Sequence, residues 1–128
     1  MKIDRSHPHM VQPVKRVEVE TESGETRVGL VAYSLGNFIS NMTKQYTDSG
    51  IILDFTLQEQ QDGSFAVENV GYVPIFCWRQ ESQIRAISSL KYYEERPSGM
   101  SDSTWKRMKA SCRELRDLLG ENLVMLAE

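Results

Sequence analysis

The dipeptide Asp62-Gly63, set between two runs rich in apolar residues, constrains this chain more than any other feature. Asp-Gly supplies the backbone freedom that a tight reversal needs, so the flanking runs are predicted to pair as an antiparallel hairpin. On its N-terminal side Ile51, Leu53, Phe55 and Leu57 share one parity, and Asp54, Thr56 and Gln58 take the other. That is the period of a half-buried strand, and Phe65 to Val73 is its predicted partner. Pro74 removes a ladder donor, so the partner is expected to stop there. Ile75 to Trp78 then becomes an edge or a fresh extended piece.

Two further strands are predicted upstream. From Val11 to Glu20 the apolar residues Val11, Pro13, Val17 and Val19 alternate with Arg16, Glu18 and Glu20. Residues 22–25 form a polar turn, and Val28 to Leu35 is apolar on both parities, as in a central strand covered on both faces. Residues 36–50 have a loop composition with room for one helical turn near Met42 to Tyr46, and Ile84 to Leu90 is a short strand candidate.

One helix is predicted, from Ser101 to Gly120. Ser101, Asp102 and Ser103 each offer an N-cap oxygen, Trp105, Met108, Cys112, Leu115 and Leu119 share one face, and Gly120 stands at the C-cap. The opposite face carries Lys106, Lys109, Arg113 and Arg116, interrupted by Arg107, Glu114 and Asp117. It reads either as a solvated face or as a docking stripe for an acidic partner. The fold class is therefore α+β: an antiparallel sheet of four or five strands in a β-rich segment 1–100, with one C-terminal amphipathic helix over 101–120.

With 128 residues there is room for a single domain, and 40% hydrophobic with 26% charged residues is the composition of a folded globular chain. No apolar run is long enough to span a membrane. A formal charge of −3 with mixed signs gives no general pull toward nucleic acid. Cys77 and Cys112 lack metal-type spacing and read as half-buried thiols.

Both histidines fall in His7-Pro8-His9. In an extended His-x-His segment the side chains point to opposite sides, so the pair can ligate two adjacent metals, or a metal and a bound phosphate. The alternative is a surface loop with two incidental histidines. Asp4, Asp48, Asp54 and Asp62 are available, yet they form no second constellation, and no nucleophile with a base and no phosphate-binding glycine loop is present. The strand exit Tyr33-Ser34-Leu35-Gly36-Asn37-Phe38 can present the Asn37 amide to a neighbouring site, or can be an ordinary exit pinned by Phe38.

Taken in order, Ser6 to Pro13 (SHPHMVQP), Val31 to Phe38 (VAYSLGNF), Ser49 to Leu53 (SGIIL) and Gly71 to Pro74 (GYVP) resemble the C-terminal part of the CapA family. These are poly-gamma-glutamate capsule synthesis proteins related to metallophosphoesterases. The similarity runs from about residue 3 to about residue 90, and it rests on the order and separation of the first two stretches. It implies the C-terminal half of a calcineurin-like four-layer αββα sandwich, with divalent metals at the strand ends. His7 and His9 would be metal ligands and Asn37 would lie near the same site. The implied role is capsule or poly-gamma-glutamate biosynthesis or export at the bacterial cell envelope, in an extracytoplasmic setting.

Two departures accompany the resemblance. Arg5 stands where the pattern has a glycine, and the earlier ligand loops of the superfamily have no counterpart in these 128 residues. The expectation is a partial domain, 1–128, inactive alone and not retaining metal alone. Its partners would be an upstream half of the same polypeptide or a second copy, and the capsule-synthesis machinery. The contrasting expectation is a non-enzymatic β-rich scaffold or interaction module.

Overall fold

In the computed structural model, which describes residues 8–128, the Asp62-Gly63 turn closes the longest strand pair of the molecule. β3 (Ser49–Glu59) and β4 (Phe65–Arg79) run antiparallel, and Gly63 takes φ 83° in the reversal between them. The Gln60 N–H donates to the Ser64 carbonyl at 2.7 Å, which seals the end of the ladder. Between the Asp54–Gly71 and Thr56–Glu68 pairs the register slips, so that Phe55 alone faces Asn69 and Val70. Asn69 takes φ 53°, a left-handed conformation that asparagine tolerates better than most residues.

Pro74 does not end β4. The strand runs through it because the second edge of β4 is shared by two partners, with the proline between them. β5 (Ile84–Ser88) pairs antiparallel from Ile75 to Arg79, and β6 (Val124–Met125) pairs parallel at Gly71 and Tyr72. The Pro74 carbonyl accepts from the Ser89 N–H at 2.9 Å, so the donor that proline lacks would have pointed to that same side, past the last β4–β5 pair. No ladder bond to β3 is lost, and β6 is an element that no local pattern announced.

β1 (Val14–Glu20) and β2 (Thr26–Ala32) form a two-stranded ribbon. The expectation of a central, doubly covered strand fails for β2: its first three residues are exposed and the remaining four only half-buried. The inner position is taken by its continuation. Leu35 bridges Val11, Gly36 bridges Gly50, and the Ile51 N–H donates to the Leu35 carbonyl at 2.8 Å. Residues 35–37 thus line the free edge of β3, while residues 44–47 form turns rather than the expected helical turn.

α1 (Asp102–Leu119) begins and ends where its sequence dictates. The Ser101 hydroxyl accepts from the Thr104 N–H at 3.2 Å, and the Gly120 N–H donates to the Arg116 carbonyl. Its buried face packs on the sheet in two clusters. One joins Val11, Ile51, Tyr72, Leu115 and Leu119, and the other joins Phe76, Trp78, Met100 and Met108. Each such side chain contributes roughly 1.5–3 kcal/mol when fully buried. Trp105 is half-buried, its indole N–H donating to the Tyr92 carbonyl. The basic face is broken up locally, with Lys106 on Asp102, Lys109 over the Trp105 ring and Arg113 on the Tyr93 hydroxyl.

The fold is therefore α+β, with sheets that are antiparallel except for the short β4–β6 pair and, among the described residues, a single C-terminal helix. Beyond the bulge the β3–β4 hairpin continues as an arm. Phe55, Leu57 and Phe65 keep the core parity but are 43%, 56% and 59% exposed, because neither buried cluster on α1 extends that far.

Tyr72, 1% exposed, yields a pH prediction. Burial pushes its phenol up to about 12 from 10.0. A group raised on folding stabilises fully below its unfolded value, so this contribution should be intact below pH 10 and lost as the pH climbs through about 12. Urea unfolding across that range should show a steeper alkaline loss for the native sequence than for Tyr72→Phe. Equal slopes would remove Tyr72 as the cause.

Candidate functional site

Where the ribbon meets β3, the backbone is too close-packed for any side chain. A Cβ on Gly50 would lie 2.2 Å from the Asn37 carbonyl oxygen, and one on Gly36 would lie 2.8 Å from that of Ser49. Gly36 also takes φ 73°, which glycine adopts without strain. This contact delivers Asn37, 9% exposed, to the strand end beside the His9 segment.

The Asn37 amide is fully engaged. Its Nδ2 donates to the Thr47 carbonyl at 2.7 Å and to the His9 carbonyl at 3.2 Å, and its Oδ1 lies 3.1 Å from His9 Nδ1. Two acceptor-only carbonyls fix which end of the amide carries the NH2, so Oδ1 faces the imidazole. When neutral, the His9 ring then carries its proton on Nδ1 and donates it to Asn37. Ser34 secures the same segment by donating to the Pro8 carbonyl at 3.3 Å.

The structure thus brings together His9 and Asn37, two of the three residues singled out from sequence, at a separation of 28 positions. His7, like Arg5 and Asp4, lies outside the described residues. Asp54 is on β3 and exposed, while Asp62 belongs to the hairpin turn, where the Ser64 hydroxyl and N–H hold its carboxyl below the usual range. Cys77 and Cys112 are unoxidised and buried, and burial pushes both thiols up.

Asp48 has a role near the site, and it is not that of a ligand. It is 6% exposed and takes a two-pronged ion pair from Arg107 of α1, Nε to Oδ2 at 2.7 Å and Nη2 to Oδ1 at 3.0 Å. Arg107 also reaches Glu114, and Gln45 donates to Glu114 Oε1 at 2.9 Å. Hydrogen bonds donated to Asp48 and Glu114 hold the guanidinium above its ordinary value. Burial would raise the Glu114 carboxyl, but Arg107 and Gln45 outweigh it and keep that group low. Within the turn gripped this way, Tyr46 takes φ 68°, a strained conformation for an aromatic residue.

Sequence reading missed this grip. The seven-residue spacing of Arg107 and Glu114 does place them on one face of α1, but nothing local links either to Asp48, 59 positions away from Arg107.

A divalent metal of the kind the resemblance implies can be tested against these donors. Among the described residues no group of three or more His, Cys, Asp or Glu comes together to hold one. An oriented imidazole alone falls short of the three or four protein ligands such centres use. Of the two histidines that the resemblance implies as ligands, the described residues include His9. A cavity of about 350 Å3, whose lining includes Met10, Tyr46 and Leu115 and the carboxylates Glu114 and Asp117, opens beside the His9 segment. No helix among the described residues is long and apolar enough to cross a membrane. No family model matches the chain, and no curated protein or solved structure matches it either.

Proposed function

We propose that this chain is the C-terminal part of a CapA-like protein and contributes His7 and His9 to a metal-dependent, phosphoesterase-like site. The supporting observation is the His9 Nδ1 to Asn37 Oδ1 contact of 3.1 Å, with the amide oriented by Thr47. Metal-ligating histidines characteristically donate the second ring N–H to an oxygen acceptor, which sets the tautomer and aims the other nitrogen at the metal. The remaining ligands come from an upstream half of the same polypeptide or a second copy of the chain. That partner also covers the exposed apolar arm carrying Phe55, Leu57 and Phe65. The process served is capsule or poly-gamma-glutamate biosynthesis or export at the bacterial cell envelope. A non-enzymatic scaffold is the competing function, and one titration separates the two.

Adding Mn2+ to isotope-labelled protein should broaden the imidazole signals of His7 and His9 before any carboxylate signal. His9→Ala should weaken that binding at least about 10-fold. The chain alone should not turn over a phosphodiester. Broadening spread over surface carboxylates, unaffected by His9→Ala, would leave the scaffold reading standing in its place.

A further inference from the structure

We infer that Arg107 is a positioning residue for His9, acting from α1 through the turn at residues 44–48. The inference rests on His9 being the working group of the site and adds the element that controls its orientation. The connection is continuous. Arg107 holds Asp48 with two hydrogen bonds of 2.7 and 3.0 Å. The residue before Asp48 is Thr47, whose carbonyl accepts from Asn37 Nδ2 at 2.7 Å, and the same amide faces His9 Nδ1 with its oxygen at 3.1 Å.

The helix grips this turn twice, at Asp48 through Arg107 and at Gln45 through Glu114, and Arg107 joins the two grips by bonding Glu114. Between them lies Tyr46 at φ 68°. A strained residue persists only where its surroundings over-determine it, and here the two side chains of α1 act together with the Thr47 bonds to the Lys44 carbonyl and the Cys77 N–H bond to the Asp48 carbonyl. Without the grip the turn relaxes, the Thr47 carbonyl leaves Asn37, and only the longer bond to the His9 carbonyl, 3.2 Å, still sets the sense of the amide. Its NH2 can then face the imidazole, which favours the opposite tautomer and puts the ring proton on the ligating nitrogen. The planar, two-pronged geometry is essential, so lysine at this position keeps the charge but cannot replace the fork.

The test is nitrogen NMR of the His9 ring at about pH 9, where an ordinary imidazole is neutral, in the full chain and in Arg107→Met, Arg107→Lys and Glu114→Gln. The native protein should show predominantly the Nδ1–H form. Arg107→Met and Arg107→Lys should both shift the population toward Nε2–H, and Glu114→Gln should do so to a smaller extent. Mn2+ affinity at His9 should fall about 10-fold in Arg107→Met. Ile87→Ala on β5, destabilised to a similar degree, should leave the tautomer unchanged, which separates positioning from a general loss of stability. If Arg107→Met does not fold, the lysine and Glu114 variants carry the decision. A folded Arg107 variant with the native tautomer overturns the inference. Absence of Mn2+ binding at His9 in the native chain would instead sink the metal-site proposal, with the tautomer comparison still deciding the role of Arg107.

Discussion

Gly50→Ala is expected to destabilise the protein by about 3–5 kcal/mol, the largest effect of any single methyl group added to it. The new Cβ would stand 2.2 Å from the Asn37 carbonyl oxygen, 2.8 Å from its carbon and 3.0 Å from the Leu35 carbonyl oxygen. All three are backbone atoms, so no side-chain rotation relieves the clash, and residues 35–37 must lift off β3. That breaks the Ile51 N–H to Leu35 bond of 2.8 Å and the Asn37 N–H to Ser49 bond of 3.1 Å. Each is worth about 1 kcal/mol net, and more where a group is left buried without a partner. The same displacement takes Asn37 from His9, so lost stability and loss of the His9 tautomer should appear together. Gly29→Ala serves as the control, since its Cβ meets nothing closer than 3.7 Å. Urea unfolding decides the matter, and a Gly50→Ala midpoint equivalent to a change under about 1 kcal/mol would show that the 35–37 segment is not held as described.

Arg107→Ala carries the second large effect, about 3 kcal/mol. Asp48 is 6% exposed, and removing its counter-ion leaves a carboxylate with neither water nor partner. Because Arg107 itself keeps 30% of its side-chain surface in solvent, the loss should fall at the low end for a broken buried pair. The informative comparison is the double variant Asp48→Leu with Arg107→Met, which removes both charges. It should cost less than the sum of its single changes by at least about 1.5 kcal/mol, since neither charge is stranded. Additive costs would mean that the two side chains do not depend on one another. Glu114 should matter less than Asp48 because Gln45 and solvent both remain to it.

The two effects converge on one physical point. The edge of β3 near Gly50 accepts residues 35–37 on one side, and α1 holds the adjoining turn on the other. Asn37 is fastened between them by Thr47, so its amide is a rigid acceptor for His9 rather than a solvated side chain. Preorganisation of this kind is what the proposed ligating role of His9 requires.

How much of this was legible in the residues follows from the range of the interactions. Helix α1, with Ser101 and Gly120 at its ends, and the reversal at Asp62-Gly63 were readable, since caps and tight turns are decided within a few residues. His9 and Asn37 were also visible as candidates, and these two meet, although only the fold could place an amide 28 positions from its imidazole. Pro74 was misleading: its own chemistry says break, but the gap between β5 and β6 leaves no donor to miss, and that gap is a tertiary fact.

Exposure was the other unreadable quantity. The alternation through Phe55 and Leu57 is the same whether or not a helix covers it, and β2 is as apolar as a central strand while lying in a two-stranded ribbon. By itself, then, the sequence determined the α+β class, the termini of the helix, the hairpin and the histidine and asparagine candidates, because period, cap and turn signals are local. Tertiary structure alone decided the Asp48–Arg107 grip, the seating of residues 35–37 against Gly50, the parallel pairing of β6 and the bare arm. Each depends on which distant surfaces meet, and no short-range pattern encodes that.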